Sequence, residues 1–294
     1  MAPAPLLDRK LLEKLERLTI HWEKSFGGLV GGHNPSRFAG GGQEFLDHRH
    51  FHHGDDLRAV NWRAYMRLEK LFLKMFQIEP RVPVRLLLDT SASMTAPNNE
   101  KFDYARKLAA ALSYVGLVRL DTIALQPFAD GLGERMVCGG GRHRFSPVVN
   151  YLTALAASGR SDYLETVRQF LSEYSQRGLL IVISDFLDDR GCERYLQYLA
   201  DFGHELLLIQ LWSEEDRVPP WTGELDLLDA ESGEHLKIQV DAPARDKYTA
   251  AFDRYSNGLQ QLAMRNAGRY VGVSTSMPLE DIIFGPLAKA QGIA

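Results

Sequence analysis

VPVRLLLDTSAS, residues 82–93, is a short, mostly apolar run closed by an aspartate and two serines. Such a run, bounded by turn-forming polar residues, reads as a strand buried on both faces. Strands of that kind belong to parallel sheets covered by helices. The pattern continues downstream. Phe102 to Leu120 reads as a helix with Leu108, Ala111, Leu112, Val115 and Val118 on one side, and Thr122 to Phe128 as a strand with a short partner at Arg135 to Cys138. Ser161 to Tyr174 and Cys192 to Phe202 read as helices, and Leu179 to Ser184 and Glu205 to Leu211 as strands. A long helix from about Ala244 to Ala267, a strand at Tyr270 to Ser274 and a helix opened by Pro278 complete the series. Strands separated by helices predict a doubly wound, mostly parallel α/β sheet with helices on both faces. Glu224 to Asp229 and His235 to Val240 flank Glu231, Ser232 and Gly233, which predicts a small hairpin insertion near residues 222–241.

Upstream the reading changes. Residues 6–24 place Leu7, Leu11, Leu15, Leu18 and Trp22 on one helical stripe, with Glu13, Lys14, Glu16 and Arg17 facing away. Gly27 to Gly42 is too rich in glycine for a regular element, and it lacks the Gly-Lys-Ser/Thr ending of a phosphate-binding loop. Arg63, Arg67, Lys70 and Lys74 would form a basic stripe on a helix, but Glu69 and the apolar run Leu71 to Phe76 interrupt it, and the segment also reads as a strand. The expected division is an N-terminal extension over residues 1–80 and the α/β domain over residues 81–294.

Composition removes several function classes. With a net charge of −4 and no long block of one sign, the chain lacks the basic footprint of a nucleic-acid binder. Its two cysteines, Cys138 and Cys192, have no paired spacing, which argues against a disulfide framework or a thiolate zinc site and suits a reducing cytoplasm. Met1 to Lys10 has no charged-then-apolar leader pattern, and the apolar stretches are too short to span a bilayer. A soluble cytoplasmic protein is expected, with no direct membrane insertion.

Ligands of doubly wound sheets bind beyond the carboxyl ends of the strands, where strand order reverses. Asp89 sits at such an end, Asp185 at the end of Leu179 to Ser184, and the loop of Gly159, Ser161 and Asp162 precedes a helix that could bring it to the same crevice. These are oxygen donors with few formal charges. Magnesium takes six oxygens in octahedral geometry and retains water readily. Serine hydroxyls binding directly, with carboxylates holding coordinated waters, would leave the cation incompletely neutralised. An acidic side chain from a partner could then complete the shell.

Asp89, Ser91 and Ser93, spaced Asp-x-Ser-x-Ser, resemble the metal-ion-dependent adhesion site of von Willebrand factor A domains. The resemblance implies a threonine from a second loop, matched here by Ser161, and a third-loop aspartate, matched by Asp185. The chain as a whole resembles the bacterial domain-of-unknown-function family numbered fifty-eight, through Gly40, Gly42, Glu44 and Phe45, then Arg49, Phe51, Gly54, Asp55, Asp56, Arg58, Trp62 and Arg63. Ser161 in place of threonine and Asn61 where aspartate is usual depart from the pattern. What the resemblance implies is a von Willebrand A-like domain with a family-specific extension, holding Mg2+, or Mn2+ or Ca2+, at Asp89, Ser91, Ser93, Ser161 and Asp185. It also implies a partnership with a MoxR-type AAA ATPase, engaged through an acidic residue at the metal, in assembly or maturation of another complex.

Other readings stand beside this one. Asp89, Ser91 and Ser93 could serve as turn and cap residues. The histidines of Asp47 to His53 invite a transition-metal site but match no standard zinc spacing, so a solvated loop is the default. Glu44, Arg49, Gly54, Asp55, Arg58, Trp62 and Arg63 are expected to be structural or docking residues, with Arg49, Asp55, Asp56, Arg58 and Arg63 as an ion-pair network. An aspartate ending an apolar strand also marks aspartyl-phosphate enzymes, but Ser91 replaces the second acid and no lysine stands out in the sequence. A scaffold with a vestigial metal site is the remaining alternative.

Overall fold

The order of elements along the chain is α1 (Arg9–Leu15), β1 (Glu44–His50), α2 (Trp62–Leu68), β2 (Phe72–Gln77), β3 (Val84–Asp89), α3 (Glu100–Val118), β4 (Ile123–Phe128), β5 (Met136–Cys138), α4 (Phe145–Ala154), α5 (Tyr163–Glu173), β6 (Leu179–Ser184), α6 (Glu193–Asp201), β7 (Glu205–Trp212), α7 (Glu214–Arg217), β8 (Gly223–Leu228), β9 (His235–Val240), α8 (Ala242–Arg265), β10 (Arg269–Ser274) and α9 (Leu279–Ile282). This computed structural model describes residues 6–20, 44–52, 55, 57, 60–77, 83–96, 98–188 and 190–290. Two units result, one of residues 1–24 with 83–294 and one of residues 25–82.

In the larger unit six strands form one sheet in the order β10-β7-β6-β3-β4-β5. Every pairing is parallel except β4 with β5. The strand order turns around at β3: β4 lies on one side of it and β6 on the other, so the carboxyl ends of β3 and β6 open onto the switch point. Alternation along the strands places Leu87, Leu180, Val182, Leu206 and Leu208 in one core layer with Val167 and Phe170 of α5, Leu196 and Leu199 of α6, and Leu259 of α8. The intervening residues Leu86, Leu88, Ile181, Ile183, Leu207 and Ile209 are also buried, because α3 packs across β3, β4, β6 and β7. The domain is therefore the doubly wound, mostly parallel α/β architecture with helices on both faces that the pattern implied.

Several expectations change. The helix expected over residues 6–24 is confined to Arg9–Leu15, started by the Asp8 side chain accepting from Leu11 N at 2.7 Å. That helix belongs with the α/β unit and not with the extension, and the boundary expected at residue 80 falls at 82/83. The reason is packing: Leu15 and Ile20 are fully buried, Tyr114 of α3 donates to Glu16 at 3.0 Å, and Arg119 Nε donates to the Leu18 carbonyl at 3.0 Å. Helix α4 was not announced by the sequence, where Pro147 falls among its residues. Proline is tolerated in a first turn, and Val148 and Leu152, four residues apart, bury the helix. The last helix runs from Leu279 and widens into a π-helical turn at Ile283–Leu287 around Pro286, which has no N–H to give an α-helical bond.

The smaller unit is built on an antiparallel pair, β1 with β2, in the register Arg49 to Leu73 and His50 to Phe72. The histidine segment is thus a strand, not a solvated loop, up to His50. The expected basic helix breaks in two: α2 ends at Leu68, Glu69 takes a left-handed conformation (φ 50°), and the apolar run becomes β2. Asn61 caps α2 by accepting from Ala64 N at 3.3 Å and pairs with the His48 ring at 2.6 Å. The glycine-rich stretch 27–42 lies outside the described residues, as do Gly54, Asp56 and Arg58.

Gly178 precedes β6 where that strand joins β3. A Cβ there would stand 2.6 Å from the Pro83 carbonyl oxygen, a backbone atom that cannot swing aside. Gly178→Ala is expected to cost about 1–3 kcal/mol through this overpacking, measured by urea unfolding; a change within error would show that the two strand starts are not held this closely.

Candidate metal site

Asp89 is the last residue of β3 and is 1% exposed. Its Oδ1 accepts from Ser91 N at 2.9 Å, and its Oδ2 accepts from Ser184 Oγ at 2.5 Å. Ser184 is itself fixed by the Tyr163 hydroxyl at 2.8 Å and by Phe186 N at 2.7 Å. Despite these bonds, burial and then the charge of Asp185 push the Asp89 carboxyl up to about 7. Desolvation and a like charge outweigh the stabilising donors. Positive charge reaches the site from Lys101, which at the start of α3 is 2% exposed and donates to Asp185 Oδ2 at 2.9 Å, with Asp216 Oδ2 at 3.2 Å. Burial works to lower the Lys101 pKa, but Asp185 and Asp216 overcome it and hold the ammonium above its usual range. One lysine shared between two carboxylates leaves Asp89 without a cation of its own.

The first loop is held by backbone bonds. Thr90 N and Thr90 Oγ1 both donate to the Phe128 carbonyl, at 2.8 and 3.0 Å. Ala92 N donates to the Gly159 carbonyl at 2.9 Å and Ser158 N to the Thr90 carbonyl at 2.7 Å, which joins the first loop to the second. Gly159 has φ +83°, and a Cβ there would meet Asp130 Oδ2 at 2.8 Å, so glycine is required at this crossing. Asp162 anchors the far side of the second loop: its N–H donates to the Ala129 carbonyl at 2.8 Å, and its side chain caps α5 through Glu165 N at 2.9 Å. Ser161, 3% exposed, lies between these anchors. In the third loop Asp185 Oδ1 accepts from Leu187 N at 3.1 Å, and Gln210 donates to the Asp185 carbonyl at 3.2 Å. Phe186 next to it has φ +57°, a conformation costly for a non-glycine residue, and its carbonyl accepts from Tyr255 OH at 2.5 Å.

Ser91 Oγ and Ser93 Oγ stand 3.0 Å apart. Two adjacent ligands of an octahedral ion at about 2.1 Å are separated by about 3.0 Å, so this spacing suits a small dication. Ser91 precedes a 3-10 turn, Ala92–Thr95, yet its hydroxyl makes no capping bond; the turn reading accounts for Asp89, which accepts from Ser91 N, but not for the serine hydroxyls. Among the described residues no group of three His, Cys, Asp or Glu gathers in a way that could hold a metal. The set here is different in kind: three hydroxyls, with Asp89 and Asp185 behind them. These residues fit magnesium chemistry.

Three participants were not singled out in the sequence. Lys101 lies twelve positions beyond Asp89 at a helix start, with no local pattern to mark it. Ser184 adjoins Asp185 and was read only as the end of a strand. Glu231 was read as part of a turn, but its carboxylate reaches Ser161, accepting from Ser161 N at 3.1 Å and from Ser161 Oγ at 3.1 and 3.2 Å.

In the smaller unit Arg49 and Asp55 are brought together at 2.7 Å, with His52 N donating to the other Asp55 oxygen at 2.7 Å. The Arg49 guanidinium first, and the His52 amide second, hold the Asp55 carboxyl below its usual range. Trp62 and Arg63 on α2 are exposed, and Trp62 meets Tyr65 edge-on with centroids 6.1 Å apart. Glu44 pairs with Gln77 in the strand register.

Two predictions follow from the charge balance. Because the folded Asp89 pKa lies above its ordinary 3.8, its contribution to stability is complete below pH 4 and is lost as pH rises through about 7. In chelator, the melting temperature of the protein should therefore fall between pH 5 and pH 8, by the equivalent of a few kcal/mol, and the fall should shrink in Asp89→Asn. Identical pH profiles would remove the charge argument. Lys101→Met, which strands the buried Asp185 and the half-buried Asp216, should cost about 3 kcal/mol or more in denaturant unfolding.

The chain is similar to several known proteins. The uncharacterized protein Rv1480 of Mycobacterium tuberculosis (strain ATCC 25618 / H37Rv) is 27% identical over 253 residues, covering 83% of this chain and 78% of that protein. The uncharacterized protein MAV169 of Mycobacterium avium is 32% identical over 92 residues, 31% of this chain and 54% of that protein. Among solved structures, the conserved hypothetical protein BatB from Bacteroides thetaiotaomicron matches 71% of this chain and 98% of its own at 15% identity, with a TM-score of 0.41. The SpRpn10 VWA domain matches 69% of this chain and 93% of its own at 12% identity, with a TM-score of 0.37. Residues 47–257 match the family described as "Protein of unknown function DUF58", and the chain belongs to that family.

Proposed function

We propose that this protein is a non-enzymatic interaction module that grips an acidic residue of a protein partner through a divalent cation. The observation that carries the reading is the convergence of three loops, from the ends of β3 and β6 and the start of α5, around two buried carboxylates that share too little positive charge. Ser91, Ser93 and Ser161 would ligate the ion, while Asp89 and Asp185 balance its charge from behind. Magnesium is the expected ion, with Mn2+ or Ca2+ as substitutes. Once bound, such an ion supplies a Lewis-acidic position open to a carboxylate. The chain's own part is orientation: Ser184 and Ser91 N fix the Asp89 oxygens, and the backbone bonds between Thr90, Ala92 and the second loop keep the hydroxyls together.

A phosphoryl-transfer reading gains a lysine from the structure, since Lys101 stands beside Asp185. It does not gain a nucleophile. Asp89 is buried with both oxygens engaged, and Lys101 is committed to Asp185 and Asp216, so neither is offered to a substrate. A nucleophilic carboxylate needs a free oxygen in line with its target.

The partner we infer is a MoxR-type AAA ATPase, or a client presented by it, and the joint action is assembly or maturation of another complex. That assignment rests on the family resemblance. A cytoplasmic setting accords with two free, buried cysteines. No helix among the described residues is long and apolar enough to cross a membrane.

The test is calorimetric titration with Mg2+ and Mn2+, with Asp89→Ala as control. Saturable binding lost in the variant is expected, together with a stabilisation of about 2.7 kcal/mol when free ion exceeds Kd a hundredfold. Nucleotide-free capture of the ATPase should then need Mg2+ and intact Asp89. Capture that is equal for wild type and Asp89→Ala in Mg2+ and undiminished by chelator would sink the metal-bridged reading and favour the scaffold.

A further inference from the structure

Glu231 sits at the tip of the β8–β9 hairpin, and its carboxylate is laid against Ser161, one of the three hydroxyls of the candidate metal site. From this contact we propose that Glu231 is an acidic ligand the chain supplies to its own metal ion, occupying the position that a partner's carboxylate must take. The proposal rests on the metal-bridged reading above and names what regulates that site.

The hairpin tip is built to aim this side chain. Asp229 Oδ1 accepts from Glu231 N at 2.8 Å and from Ser232 N at 2.7 Å, and Gly233 N donates to the Asp229 carbonyl at 2.9 Å with Gly233 at φ +72°. The Ser232 amide first, and the Glu231 amide second, hold the Asp229 carboxyl below its usual range, with the nearby Arg160 charge adding to them. Every residue from Ser232 to Lys237 is exposed, whereas Glu231 is half-buried, so the turn singles out one residue to cover.

The spacing is that of a shared ligand sphere. Glu231 Oε1 lies 3.1 Å from Ser161 Oγ, against 3.0 Å between Ser91 Oγ and Ser93 Oγ. Both match the separation of about 3.0 Å between adjacent oxygens around an octahedral dication. Charge points the same way. The loops that receive this carboxylate already hold Asp89 and Asp185, and Lys101 meets only Asp185 of the two, so a dication at the hydroxyls would gain a further anionic ligand in Glu231.

The root of the hairpin allows release. Beneath it is a cavity of about 520 Å³ lined by Trp221, Leu225, Ile238 and Tyr248, among others, so the strands are not packed tightly on α8. A partner carboxylate that displaced Glu231 would free the hairpin tip, beside which Leu228 and Leu236 are already 62% and 60% exposed. Binding strength would then be set by a competition between two acids for one position.

The test uses the full chain with Mn2+ and reads water-proton relaxation, which counts exchangeable waters on the bound ion, alongside affinity. Glu231→Gln and Glu231→Ala leave the Asp229 turn intact, because that turn is made through backbone N–H groups; unchanged melting temperature in chelator verifies the fold. Wild type should hold Mn2+ about tenfold more tightly than either variant, with one fewer exchangeable water. Acetate should lower the relaxivity of Glu231→Ala and leave that of wild type unchanged. If the variants equal wild type in affinity and relaxivity, while Asp89→Ala binds no Mn2+, the metal site stands and the Glu231 inference is overturned. If wild type binds no Mn2+, both fall together.

Discussion

The structure depends on a carboxylate that cannot be comfortable alone. Asp89 ends the strand at which the sheet turns around, where it is enclosed by three loops and faces a second buried acid, Asp185. Burial of a charge is tolerated when it is paired and hydrogen-bonded. The protein meets this demand for Asp185 with Lys101, and for Asp89 with two donors but no cation. That asymmetry orders the rest of the site: Asp185 is paired with a buried cation within the fold, and Asp89 is held by hydrogen-bond donors, which is where the proposed dication would add charge. A fully neutralised pair would be a more stable core and a poorer binding site.

The loops around this charge are fixed from the backbone, so the serine hydroxyls are not needed to hold the loops and bond instead to each other and to Glu231. Thr90, Ala92, Ser158 and Asp162 spend their main-chain groups on Phe128, Gly159, Thr90 and Ala129. Local side-chain bonds from serine and threonine ordinarily compete with such arrangements. Here Ser91 begins a 3-10 turn without capping it, and Ser161 turns its hydroxyl outward to another segment. Strain is accepted in the same region, at Phe186, whose left-handed backbone is clamped by Tyr255 and Ser184. An oxygen-ligand site requires hydroxyls placed before any ion binds, and here Ser91 and Ser93 are held by their mutual hydrogen bond and Ser161 by its bond to Glu231.

Much of this was legible in the sequence because periodicity reports burial. The runs at residues 84–89 and 179–184 have no polar alternation, since both of their faces are covered, and each is followed at once by an acid at the carboxyl end of its strand. The hairpin was visible from its turn residues. What could not be read is anything set by long-range packing. Lys101 meets Asp185 across 84 positions of sequence, and Glu231 meets Ser161 across 70. Neither residue carries a local mark, because a lysine at a helix start and a glutamate in a turn are ordinary surface residues. In the extension the difficulty was different: the basic residues from Arg63 to Lys74 have helical spacing over one part and strand alternation over the rest, and the change falls at Glu69, where a left-handed turn ends the helix.

These two unmarked contacts divide the labour of the site. Lys101 is immobile and buried, so it sets a fixed charge on Asp185 whatever is bound. Glu231 stands at the end of an exposed hairpin over a cavity, so its charge is held only by the contact it makes. Were the proposed dication bound, a permanent cation on one side and a removable anion on the other would place its open position under the control of the hairpin. Affinity for an acidic partner would then measure how much better that partner's carboxylate fits than the chain's own. That would be selection by difference, in which a competing contact within the chain excludes weak acids that a bare site would accept.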